Sequence, residues 1–106
     1  MLLYEITTNS KNEILILKAE VEEKPKTYQI IKRIDKEFDY CSRVLKTDID
    51  KIRSSFNGIR IFTFDVNWGL KLYREKLDDL IKEKEIIFYK TVDSLKARIN
   101  NIDKLV

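Results

Sequence analysis

Apolar residues recur through the last third of the chain at the spacing of one helical face. From Leu70, steps of 3.6 residues meet apolar positions up to Val106, and only Lys84 and Glu85 interrupt the series. We therefore predict one long amphipathic helix over residues 66–106. It would be roughly 55 Å long from residue 70 onwards, about twice the width of a globule formed by the rest of the chain.

Residues 1–65 show the alternation of period two that is typical of strands. In residues 13–22, Leu15, Leu17, Ala19 and Val21 share one face and charged residues follow on the other from Lys18 onwards, whereas Ile14 and Ile16 make the first half apolar on both faces. Because short polar turns join the segments, we expect antiparallel pairing. The predicted strands cover residues 3–7, 13–22, 27–32, 40–45 and 59–65.

Three local features complete the fold prediction. Thr47 is predicted to cap a short helical turn, residues 54–58 are predicted as a loop, and Asp65 or Asn67 is predicted to cap the long helix. We expect an α+β fold, in which an antiparallel sheet of about five strands curls towards a small barrel and is followed by one long C-terminal α-helix. The first helical turns should bury one face of the sheet.

Residues 86–89 are apolar on every side of the predicted helix, which leaves alternatives open. Residues 86–92 are rich in β-branched and aromatic side chains, so they could form a strand, with Asp93 or Ser94 capping a final short helix. A helical hairpin that breaks at the same point is a weaker alternative, because no glycine is present. The strong helix formers at residues 82–85 favour one continuous helix.

The end of this helix has the pattern of a short coiled coil. Phe88, Leu95 and Ile102 fit the d positions of a heptad. Val92, Ile99 and Val106 fit the a positions, and β-branched a residues favour a parallel dimer. The period is nearer 3.6 than 3.5, which favours a straight helix packed on a neighbour. Either the helix packs along its own sheet, or the distal half is an oligomer or partner interface formed by Ile86, Phe88, Tyr89, Val92, Leu95, Ile99 and Ile102.

The residue types give little material for catalysis. The chain has no histidine, one cysteine and two glycines, so it lacks the commonest general base, a zinc ligand set and a phosphate-binding loop. Asp48 and Asp50 could hold a hard cation, but helix capping explains them more simply. Cys41 fits a small core residue. We therefore expect a non-enzymatic protein with no cofactor and no metal.

Composition indicates a globular protein of one domain, with a β-rich part at 1–65 and the helix at 66–106. Among 106 residues, 43% are hydrophobic and 37% are charged. A lone cysteine and the lack of a secretory signal or a membrane-spanning run favour the cytoplasm. Abundant Lys, Ile, Asn and Tyr suggest AT-rich codons, as in a low-GC bacterium or its phage, in which case the host cytoplasm is the compartment.

The middle of the chain carries a candidate binding face. Residues 27–60 hold 8 basic and 5 acidic residues, a net charge of +3. A basic sheet with aromatic side chains can bind nucleic acid or an acidic partner, whereas an ordinary solvated charged face is the simpler explanation. The candidate residues are Tyr28, Lys32, Arg33, Arg43, Lys46, Arg53 and Arg60, with Tyr40, Lys51 and Phe56 nearby. Trp68 is predicted to anchor the core, with a place in an interface near the surface as the alternative.

These observations predict two functions. The favoured one is a small protein-binding regulator, such as a phage or mobile-element inhibitor of host machinery. It would bind its partner stoichiometrically and form a homo-oligomer, with a dimer favoured, through the C-terminal helix. The alternative is a nucleic-acid-binding regulator that uses the basic face of residues 32–60.

Overall fold

The described chain consists of a strand-rich region followed by one long helix. In this computed structural model, residues 1–11, 13–55 and 58–105 are described, apart from the side chains of residues 54, 55, 87–89 and 105. The chain divides into two compact units, Met1–Glu75 and Lys76–Val106. The elements are β1 (Leu2–Thr8), β2 (Ile14–Glu23), β3 (Thr27–Arg33), β4 (Arg43–Leu45), a 3-10 turn (Lys46–Asp48), β5 (Arg53–Ser55), β6 (Gly58–Thr63) and α1 (Val66–Leu105).

The strands form one antiparallel sheet in the order β4-β3-β2-β1-β6-β5. The predicted α+β class, an antiparallel curled sheet followed by a long C-terminal helix, is confirmed. The five predicted strands correspond to β1, β2, β3, β4 and β6. The prediction of a loop at residues 54–58 missed β5, because a ladder of three residues is too short to show alternation.

Short turns fix the pairing of the first three strands. The side-chain oxygen of Asn9 accepts hydrogen bonds from the backbone N–H groups of Lys11 at 2.9 Å and Glu13 at 3.0 Å, which closes the β1–β2 turn. The N–H of Lys24 donates to the carbonyl of Thr27 at 2.8 Å, and so closes the turn that contains Pro25. Both turns lie where the sequence predicts them.

The sheet curls into a half-barrel. A register shift between Glu20 and Val21 in the β2–β3 pairing marks a bulge, which bends and twists a strand. As a result, strands that are not neighbours in the sheet come together. The ring of Tyr28 on β3 meets the ring of Phe64, just after β6, edge to face at a centroid distance of 4.7 Å.

The larger core cluster lies on the concave face of this sheet. Phe38, from the connection between β3 and β4, is fully buried and its ring lies 5.8 Å from that of Phe62. The curl of the sheet and Phe38 close this cluster, whereas the face that the first helical turns cover, as predicted, is the opposite one. The buried members are Leu3, Leu17, Ala19, Val21, Phe38, Val44 and Phe62.

The first turns of α1 cover a smaller cluster on the opposite face of β1 and β6. Ile6, Ile61 and Tyr73 are buried there. Gly69 permits the close approach, since a Cβ at this position would lie 2.6 Å from Cγ2 of Thr63 and 2.7 Å from Cδ1 of Ile6. Helix α1 can therefore pack closely against the sheet at Gly69, because glycine has no side chain to obstruct the contact.

Helix α1 begins as predicted and continues without a break. The carboxylate of Asp65 accepts a hydrogen bond from the backbone N–H of Trp68 at 3.2 Å, so Asp65 is the N-cap. The backbone is helical to Leu105, so the alternatives of a strand at 86–92 and of a helical hairpin are wrong. The sequence has no proline or glycine from residue 70 onwards, and the strong helix formers at residues 82–85 favour the helix.

The short helical turn is also present, but its predicted cap is not. Leu45 occupies the N-cap position of the 3-10 turn, and no side chain caps it. Thr47 lies inside the turn, so the prediction that it caps the free backbone donors was wrong. The carboxylate of Asp48, at the end of the turn, instead forms an ion pair with Arg53.

Candidate functional site

The unit Lys76–Val106 carries an uncovered apolar surface on one side of its helix. None of its described side chains is buried, and beyond Leu77, which is 39% exposed on this side, the four exposed Leu and Ile residues that follow on it are each 51% to 59% exposed. At 100° per residue, these side chains and a half-buried valine fall within a sector about 80° wide. We define this set as the distal stripe: Ile81, Val92, Leu95, Ile99 and Ile102.

The other predicted interface residues are placed differently. Ile86 is 56% exposed and lies about 140° around the helix from Ile81, so it is not part of the distal stripe. The side chains of Phe88 and Tyr89, and residue Val106, lie outside the described part of the structure. Four of the predicted interface residues therefore lie on the distal stripe, to which the structure adds Ile81, and Ile86 is exposed on another side of the helix.

Three of the predicted basic residues come together on the concave side of the half-barrel. A cavity of about 300 Å³ lies between strand β4 and the β5–β6 pair. Arg43, Arg53 and Arg60 line it together, although they come from three strands. We define this space as the arginine cavity.

The three arginines differ in how they are held. Arg60 forms ion pairs with the carboxylates of Asp39 and Glu5, the latter at 3.5 Å. Arg53 forms an ion pair with Asp48. Arg43 forms no ion pair with the described residues, so its guanidinium is the cavity cation without a charged partner.

The carboxyl group of Glu5 is almost completely buried beneath Arg60. One oxygen accepts a hydrogen bond from the backbone N–H of Asp39 at 3.1 Å, and the residue is only 3% exposed. Burial raises the pKa of this carboxyl group from 4.5 to about 7, although the charge of Arg60 acts in the opposite direction. The carboxyl group of Glu5 therefore changes between its protonated and ionised forms near neutral pH.

Sequence reasoning missed Glu5 and Asp39 as members of this cluster. The alternation in β1 contained a signal, since Glu5 shares the inward face with Leu3, a core residue. No comparable signal marks Asp39, because it lies in an irregular connection. Cys41 also lines the cavity, and it is half-buried against the concave core as predicted. Burial is the main cause that raises the pKa of its thiol.

The remaining residues of the predicted basic face are distributed over other parts of the sheet. Lys46 lies 2.6 Å from the carboxylate of Glu23 and 5.4 Å from the ring centre of Tyr28. Arg33 stacks over the exposed ring of Tyr40 at 3.7 Å. Lys32 is exposed on β3, and Phe56 lies outside the described residues.

Trp68 does not anchor the core as predicted. Its side chain is 44% exposed, and the ammonium group of Lys71 lies 5.4 Å from its ring. The neighbouring Gly69 occupies the helical position against the sheet, which directs Trp68 away from it. Tyr73, one turn later, is the aromatic residue that anchors the start of α1.

Neither a metal site nor a membrane span is found within the described residues. They contain no group of three or more acidic or cysteine side chains close enough to hold a metal ion. No helix in these segments is both long and apolar enough to cross a membrane. No protein-family model, curated protein or solved structure matches this chain.

Proposed function

We propose that this chain is a non-enzymatic, protein-binding regulator that forms a homodimer through the distal stripe and acts on a partner protein by stoichiometric contact. The observation that carries the proposal is the exposure of four Leu and Ile side chains on one face of a continuous helix. Moving each such side chain out of water contributes about 1.5–3 kcal/mol. Covering this stripe is therefore favourable.

A second copy of the chain is the occupant that fits the distal stripe. With Val92 and Ile99 at a positions and Leu95 at a d position, Arg98 occupies a g position and Asp103 the following e position. In a parallel pair of helices, a g residue lies beside the e residue of the partner that follows it by five positions. Each Arg98 would then face an Asp103 of the other copy, twice in a symmetric dimer.

The oligomeric state tests this proposal. We expect size-exclusion chromatography with light scattering to give twice the chain mass of 12.7 kDa. An Ile99→Lys substitution places two buried charges in the dimer, so its dissociation constant should rise by at least about 100-fold. Ala97→Lys is the matched control, because it adds the same charge on the opposite face of the helix.

Two results would contradict dimerisation through the stripe. A wild-type chain that is monomeric at high micromolar concentration would exclude it. A dimer that tolerates Ile99→Lys as well as Ala97→Lys would place the interface on another surface.

The nucleic-acid function is the alternative proposal, based on the basic face. Lys46, Arg53 and Arg60 each form an ion pair with a carboxylate, which leaves fewer cations to contact phosphates and favours the protein-binding proposal. Affinity for DNA or RNA that collapses between low and physiological salt, at a stoichiometry of one site per chain, would support the alternative instead.

The proposed setting follows from composition. We place the protein in the cytoplasm, where a lone thiol such as that of Cys41 stays reduced. The abundance of Lys, Ile, Asn and Tyr, which AT-rich codons encode, supports an origin in a phage or mobile element of a low-GC bacterium. A small stoichiometric inhibitor of host machinery fits both points.

A further inference from the structure

The arginine cavity has the charge of a site for a singly charged anion. Three arginines and two aspartates, Asp39 and Asp48, line it. The two aspartates pair with Arg60 and Arg53, and the carboxyl group of Glu5 beside Arg60 is protonated below about pH 7, so under those conditions one positive charge remains and it belongs to Arg43. A ligand with one negative charge would balance the cavity.

Part of the cavity wall is apolar. Val44 and Phe62 belong to the buried concave core, and Leu45 continues the apolar surface at the edge of β4. The volume of about 300 Å³ lies at the lower end of the range of about 300–1,000 Å³ that is typical of small-molecule pockets. The ligand therefore needs a short apolar body beside its charge.

Two of the three cavity cations, Arg53 and Arg60, are held in place by ion pairs before any ligand arrives. Two carboxylates fix Arg60 and one fixes Arg53, which lowers the entropy lost when a ligand binds.

We infer that the arginine cavity binds a monocarboxylate with a short apolar body, its carboxylate on Arg43 and Arg53 and its carbon chain against Val44 and Phe62. A guanidinium group pairs with a carboxylate through two parallel hydrogen bonds, which suits this arrangement. The carboxylate can belong to a free small acid or to the C-terminal residue of a peptide. All of the lining residues lie in the unit Met1–Glu75, so the inference does not depend on dimerisation through the helix.

An NMR titration of the full chain tests this inference. Butyrate is the probe, and butyramide is its uncharged isostere. We expect saturable shifts of the backbone amides of Arg43, Val44 and Phe62 with butyrate. Butyramide should bind at least about tenfold more weakly, as expected for the loss of a charge-assisted hydrogen bond.

Two variants, each of which removes one positive charge, test where the ligand binds. Arg43→Gln should weaken butyrate binding at least about tenfold, and it breaks no ion pair with a described residue. Lys51→Gln removes an exposed cation that does not line the cavity, and it should leave the affinity unchanged. A thermal melt of each variant verifies that it is folded.

The source of the carboxylate is tested with a tetrapeptide that ends in valine, with a free or an amidated C-terminus. Binding of the free form more than tenfold tighter than butyrate would identify a peptide end, and equal binding would identify a small acid. Equal affinity for butyrate and butyramide would overturn the inference. Unsaturable shifts spread over all surface cations, or full binding by Arg43→Gln, would also overturn it.

Discussion

The carboxyl group of Glu5 lies 3.5 Å from the guanidinium of Arg60, yet burial has the larger effect on its protonation. Its pKa is raised from 4.5 to about 7, so between these values the folded chain holds a proton that the unfolded chain releases. The free energy of unfolding should therefore fall as the pH rises through this window, by at most about 3 kcal/mol. Below and above the window, Glu5 should contribute no slope.

A Glu5→Gln substitution should remove this slope, because the amide mimics the protonated carboxyl group and does not titrate. Urea unfolding at a series of pH values between 4 and 8 measures the effect. Glu20→Gln is the control, since it removes an exposed carboxylate from the neighbouring strand. If Glu5→Gln and the wild-type chain lose the same stability across the window, Glu5 is not the titrating group.

The second prediction concerns the contact between Gly69 and the sheet. Gly69→Ala should destabilise the fold by about 1–3 kcal/mol, because the new Cβ overpacks the buried side chains of Ile6 and Thr63. This effect opposes the helix propensity of alanine, which alone would stabilise by up to about 1 kcal/mol. Chemical unfolding measures the net change.

A rescue experiment separates overpacking from other causes. Thr63→Ser removes Cγ2, the atom 2.6 Å from the new Cβ, and keeps the hydroxyl that bonds to the backbone of Asp65. Gly69→Ala should therefore lower the free energy of unfolding by less in the Thr63→Ser background than in the wild type. Equal costs in both backgrounds would contradict the steric explanation.

The third prediction concerns the hydroxyl group of Tyr73. It donates a hydrogen bond to the carbonyl of Ile59 at 3.1 Å and also bonds to the hydroxyl of Thr8. Tyr73→Phe keeps the packing of the ring but leaves both partners unsatisfied, so we expect a loss of about 1–2 kcal/mol in a thermal or urea melt. Tyr40→Phe is the control, because Tyr40 is 85% exposed and should change stability little.

The proposed dimer makes a fourth prediction about orientation. Arg98→Glu should weaken the dimer, since it places two acidic groups side by side in each g–e pair, and Arg98→Glu combined with Asp103→Arg should restore it. Each exposed pair contributes about 0.2–1 kcal/mol, so the change is measured by sedimentation equilibrium at low salt. An antiparallel dimer would show no rescue by the double substitution.

The sequence predicts the regular elements well, because each has a local signal. The alternation of Leu15, Leu17, Ala19 and Val21 matches their position on the concave side of β2. The cap at Asp65 and the length of the helix follow from residue types over short distances.

The parts that the sequence does not predict depend on tertiary contacts. Phe38 is a single apolar residue in a polar connection, so no periodicity shows that it closes the core. Trp68 is large and apolar, but the space beside the sheet is taken by Gly69. The meeting of Glu5 with Arg60 joins positions 55 residues apart, and it depends on the long-range pairing of β1 with β6, which places Glu5 opposite Phe62.

The edges of the sheet bear on whether copies of this chain could pair strand to strand. A long, flat edge strand offers unpaired N–H and C=O groups on which another chain can grow a β-structure. Here the edge strands β4 and β5 are each three residues long, so they offer a short template. Even at high concentration, we therefore expect the protein to resist fibrillar aggregation, and its contacts with other copies to form between side chains of the helix.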